Sequence, residues 1–102
     1  MLIYPFNVFI NKWYLIYHKI LKLITSEQIR AARQLIRITA DQLAILSGVG
    51  VATIRRFELM TGVPSGNARS VEALQDALEK EGIEFIGTPD DRPGVRLNKP
   101  QK

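Results

Sequence analysis

From Ile24 onward the chain repeats one local pattern three times: an apolar residue, a capping-type residue directly after it, and a second apolar residue five places beyond the first. In ITSEQI the apolar pair is Ile24 and Ile29, in ITADQL it is Ile38 and Leu43, and in VGVATI it is Val49 and Ile54. Such pairs staple the chain across a helix start. In the first two copies Thr25 and Thr39 are each followed three residues on by a glutamine, Gln28 and Gln42, which closes a capping box. The pattern predicts helices starting at Ser26, running from Ala40 to about Ser47, and running from Val51 to about Leu59. On the first, Ile29, Ala32, Leu35 and Ile36 make one apolar stripe, with Arg30, Arg33 and Arg37 off it. Gly48 stands where the second helix ends, a place where glycine adopts the left-handed conformation at least cost. Gly50 holds the cap position of the third, where it is weaker than serine or threonine.

A fourth helix follows the loop MTGVPSGNA. Val71, Leu74, Ala77 and Leu78 share its apolar face, Asn67 or Ser70 starts it, and Gly82 stops it. IEFI and GVRL then alternate as two strands, with Ile83 and Phe85 facing Val95 and Leu97 and Glu84 opposite Arg96. GTPDDRP between them reads as the hairpin loop, its two aspartates as solvated turn formers and not as a catalytic pair. The expected fold is mainly α, about four helices followed by a small β-hairpin.

The first 23 residues break this pattern. They hold six of the eight aromatic residues and no acid, and Lys12, His18, Lys19 and Lys22 interrupt their apolar run. No uncharged stretch reaches the roughly 18 residues that would span a bilayer. Three readings fit this aromatic, helix-like segment: an arm that lies on a membrane or partner, a helix packed on the domain, or an upstream extension outside the working protein. The last is favoured, because a complete helix start follows at once. A lone histidine without neighbouring carboxylates makes no metal site. The chain thus divides into an aromatic and basic extension (1–23), a helical domain (24–82), and a hairpin with a basic tail (83–102).

Composition narrows the chemistry. A chain of 102 residues makes one small domain, which buries only roughly 60 to 65% of its unfolded surface and leaves little room for a deep catalytic cavity. The absence of cysteine removes disulfides, thiolate ligands and a cysteine nucleophile. The net charge of +4 is uneven. Residues 24–69 carry six arginines against Glu27, Asp41 and Glu58, whereas 70–91 carry Lys80 against seven acids. A basic middle suits a polyanion, and an acidic helix suits water or a partner.

The stretch SGVGVATIRRFE, Ser47 to Glu58, sets two glycines ahead of a helix. A phosphate-binding glycine loop needs a strand before it, and a P-loop needs a lysine after it. Here a helix precedes, and neither a lysine nor a third glycine follows. Two short helices joined by a tight glycine turn describe a helix-turn-helix instead.

TADQLAILSGVGVATIRRFE resembles the Xre family, the lambda-repressor-like or Cro-like DNA-binding domains, with Leu43, Ala44, Val49, Ile54 and Phe57 at the positions where the two helices pack. The resemblance runs from about Ile24 to Leu97, and GIEFIGTPDDRPGVRL is similar to the ending of short bacterial and phage-type members. It implies a lambda-repressor-like helix-turn-helix domain acting on double-stranded DNA as a cytoplasmic transcriptional regulator of repressor type, a homodimer, with no enzymatic activity, cofactor or metal. The third helix would be the recognition helix in the major groove. Helical geometry agrees, since with Ile54 and Phe57 turned inward, steps of about 100° put Ala52, Arg55, Arg56 and Leu59 opposite.

The candidate base contacts are Val51, Ala52, Thr53, Arg55 and Arg56. An arginine fork meets guanine O6 and N7 together, worth about 1 to 3 kcal/mol of discrimination, and the three small residues admit a thymine methyl. Backbone contacts are implied at Thr39, Ala40, Gly50, Asn67 and Arg69, and a salt bridge between Arg33 and Glu58. Ala40 replaces the family's usual phosphate-holding glutamine and Gly50 its usual capping serine or threonine, which implies weaker DNA binding than a strong repressor's. The alternative is an antitoxin-like interaction module whose acidic fourth helix, with Glu72, Asp76 and Glu79, docks a basic toxin-like protein.

Overall fold

The computed structural model describes residues 23–99. The expectations for residues 1–22, His18 included, and for the last three residues of the tail lie outside the described residues. Within them the order is α1 (Ser26–Leu35), α2 (Ala40–Ser47), α3 (Val51–Glu58), α4 (Ala68–Lys80), β1 (Ile83–Thr88) and β2 (Asp91–Leu97). The molecule is mainly helical, with one antiparallel two-stranded hairpin. Among the described residues no helix is long and apolar enough to cross a membrane.

Both threonine caps form as complete capping boxes. Thr25 Oγ1 accepts from the Gln28 N–H at 3.0 Å and the Thr25 N–H donates to Gln28 Oε1 at 2.9 Å; Thr39 and Gln42 repeat this at 3.0 and 2.8 Å. Each box satisfies two N–H groups that a helix start leaves without partners. Gly48 ends α2 at φ +77°, the left-handed conformation that turns the chain toward α3. α3 starts at Gly50 with no side-chain cap. α1 ends without a glycine: Arg37 takes the left-handed conformation, φ +61°, and its N–H donates to the Gln34 carbonyl at 3.0 Å.

The core joins all four helices and the hairpin. Ile24, Ile29, Leu43, Ile54, Phe57, Leu74 and Leu78 are fully buried, and Ala32, Val49, Ala77, Ile83 and Phe85 complete the cluster. Ile38, the outer half of the second staple, packs half-buried against it.

The hairpin has the expected register, Ile83 opposite Leu97, Glu84 opposite Arg96 and Phe85 opposite Val95. Its loop is shorter than the sequence suggests. Pairing continues through a bulge to Thr88 and Asp91, so most of the expected loop 87–93 is strand. Gly87 makes this possible: at φ +76° it lies so close to Arg92 that a Cβ there would run into the Arg92 carbonyl. Gln28, besides closing its box, donates from Nε2 to the carbonyls of Ile86 (3.1 Å) and Gly94 (2.8 Å), so one buried amide ties the start of α1 to both strands.

Candidate functional site

The core-facing side of α3 is held by packing and by two arginines of α1. Ile54 and Phe57 are fully buried. Behind them Arg33 meets the Glu58 carboxylate with two bonds, Nε to Oε2 and Nη2 to Oε1, each 2.8 Å, and its Nη1 donates to the Ile38 carbonyl at 2.9 Å. The pair is largely enclosed, its side chains 18% and 11% exposed. Glu58 raises the Arg33 guanidinium above its ordinary value, an effect led by their hydrogen bond. Arg33 therefore fixes the end of α3, the end of α1 and the α1–α2 connection at one point.

Arg30 adds a second brace. Its Nη1 donates to the Glu58 carbonyl and, at 3.3 Å, to the Met60 carbonyl. A cation beside the last carbonyls of a helix complements its dipole as well as its open acceptors. In the sequence Arg30 lies off the apolar stripe of α1 and carries no further signal of this role. The loop after α3 is also anchored, since the Ser26 N–H donates to the Gly62 carbonyl at 2.8 Å and the Gly62 N–H donates to Glu27 Oε1 at 3.1 Å. Its own N–H first, and then that of Gly62, hold the Glu27 carboxyl below its ordinary value.

The opposite side of α3 is open. Ala52, Arg55 and Arg56 are exposed and Leu59 is 87% exposed, whereas Val51 and Thr53 are half-buried. The two arginines diverge. Arg55 Nη2 lies 3.7 Å from Asp41 Oδ1 in the first turn of α2. Arg56 stacks over the Phe57 ring, 5.4 Å from its centroid, and reaches the loop beside Gly66. The first turn of α2 and the outer side of α3 therefore open onto one surface, with a guanidinium toward each edge.

The remaining sequence candidates lie around this surface to different degrees. Thr39 is exposed at the start of α2; its hydroxyl accepts from the Gln42 N–H and donates to no partner among the described residues. Ala40 is half-buried and Gly50 exposed, with open space where a Cβ would stand. Asn67 spends its carbonyl oxygen on the Arg69 N–H at 2.9 Å as the cap of α4, and both residues are exposed. Near them a groove of about 350 Å³ runs between the loop and α4, apolar at Leu23, Val63, Pro64 and Val71, with Arg69 and Glu72 in its lining.

Comparison of the chain with known protein families and with curated proteins finds no match.

Proposed function

We propose that the protein is a sequence-specific DNA-binding transcriptional regulator of the lambda-repressor-like kind, cytoplasmic and without enzymatic activity, that inserts α3 into the major groove. The observation that carries this reading is the division of α3 into a clamped inner side and an open outer side that shares its surface with the first turn of α2. A short helix can report on base sequence only if its backbone is held rigidly while its reading side chains are free to meet another molecule.

Arg55 and Arg56 are the strongest base-reading candidates, with the exposed Ala52 on the same side of α3 and the half-buried Val51 and Thr53 at the margin. Thr39, with the main chain of Ala40 and Gly50, would meet phosphates on one side, and Asn67 and Arg69 on the other. One domain of this size has a small footprint, so two copies on a two-fold-related site would supply the affinity. Selection of bound duplexes from random-sequence DNA tests the reading. It should yield one motif, present as two half-sites about 10 base pairs apart. Recovery of unenriched sequence would remove the assignment.

A second reading, a module that binds a basic toxin-like protein, draws on α4. Glu72 and Glu79 are exposed along it, and Glu72 also lines the groove. A gene for a small basic protein beside this one, whose product forms a complex that Glu72→Lys with Glu79→Lys abolishes, would establish that function.

A further inference from the structure

Among the described residues two ion pairs join α3 to its neighbours, and they differ in geometry and in exposure. Arg33–Glu58 is bidentate, short and enclosed. Arg55–Asp41 makes a single contact through one terminal nitrogen at 3.7 Å, with both side chains about two-thirds exposed (63% and 70%). Such a pair adds little to stability, because water screens it and both chains lose freedom to form it. It lies, however, on the surface assigned above to DNA. Of Thr39, Ala40, Asp41, Gln42, Gly50, Ala52, Arg55 and Arg56 on that surface, only Asp41 is acidic.

We infer that Asp41 is a specificity-determining residue: it pairs loosely with Arg55 in the free protein and discriminates against DNA that offers Arg55 only phosphates. The inference rests on the DNA-binding reading of this surface. A phosphate carries a full negative charge, and to take Arg55 it must displace a carboxylate while approaching it. A guanine edge presents the neutral acceptors O6 and N7, which the Asp41 charge repels far less. Asp41 thus weakens the sequence-independent part of binding more than the sequence-dependent part. It is a positioning residue, acting through Arg55 and not on a base.

The test is fluorescence-anisotropy titration of the full chain against a selected duplex and a scrambled one, over a range of salt, with thermal unfolding as a check on folding. Asp41→Asn should tighten binding to the scrambled duplex by roughly 3- to 10-fold, the order expected from removing one nearby like charge. The selected duplex should gain less, so their ratio falls, and the salt slope on scrambled DNA should steepen by about one unit. Asp41→Glu should restore the wild-type ratio. In an Arg55→Ala background Asp41→Asn should no longer move the ratio. An unchanged ratio in Asp41→Asn, or a fall that persists without Arg55, overturns the role of Asp41 while leaving DNA binding intact. A wild-type protein that shows no preference between the duplexes overturns both.

Discussion

Along the eight residues of α3, the side facing the core and the side facing solvent are held by different kinds of contact. Inward, Ile54 and Phe57 are fully buried and Glu58 is clamped by Arg33, with Arg30 closing the helix end. Outward, Arg55 has one long contact to Asp41, and Arg56 rests on a ring and a glycine. The inner contacts fix where the helix lies; the outer ones leave its charged groups exchangeable. Substitutions on the two sides should therefore separate stability from binding.

The largest effect is expected at the inner side. Phe57→Ala should cost about 3 to 5 kcal/mol in denaturant unfolding, because it opens a cavity among helices that cannot all collapse into it. Glu58→Ala should cost less, about 2 to 3 kcal/mol, since it leaves the enclosed Arg33 without its carboxylate. On the outer side, Arg55→Ala with Arg56→Ala should move stability by no more than about 0.5 kcal/mol. A large loss of stability in that double variant would mean that the outer arginines help hold the fold.

Between the two sides stands Gly50. It has a φ of −61° and open space around the position of a Cβ, so a serine fits without strain. Gly50→Ser should raise stability by about 0.5 kcal/mol, by capping α3 and by restricting the unfolded chain. Measured Tm values of the two proteins check this.

The smallest effect concerns pH. Glu27 is exposed, and its folded-state pKa is lowered from its ordinary value of 4.5 by hydrogen bonds from its own N–H and that of Gly62. The unfolded chain thus binds its proton more readily, so the contribution is present above that value and is lost as pH falls through the folded-state pKa. Glu27→Gln should flatten stability against pH on the acid side of about 4.5 and leave the neutral range nearly parallel.

Much of the frame was legible because its signals are local. The capping boxes at Thr25 and Thr39, the left-handed Gly48 and the hairpin register each depend on residues within a few positions, or on a strict alternation. What stayed hidden depends on distance in sequence. Gln28 could be read as a cap from its spacing, yet its bonds to Ile86 and Gly94 cross 58 and 66 positions. Arg30 carries no mark that its guanidinium will find the end of α3, and Arg37 closes α1 in a conformation usually given to glycine. The short hairpin loop is hidden for a related reason: Gly87 and the prolines suggest a turn, whereas the bulge lets pairing pass through them.

The outer side was legible as a direction only. Helical geometry put Ala52, Arg55, Arg56 and Leu59 away from the core, and they are exposed. That Arg55 would lean to Asp41 and Arg56 to Gly66 followed from no spacing rule, because both partners belong to other segments.

The most direct test of the outer side as a DNA-reading surface compares wild type with Arg55→Ala/Arg56→Ala on the selected and scrambled duplexes. Wild type should favour the selected duplex by at least about 10³-fold. The double variant should bring that ratio close to one and lower the salt slope of residual binding by up to about two units, with its Tm nearly unchanged. A folded double variant that keeps the wild-type preference would contradict the assignment.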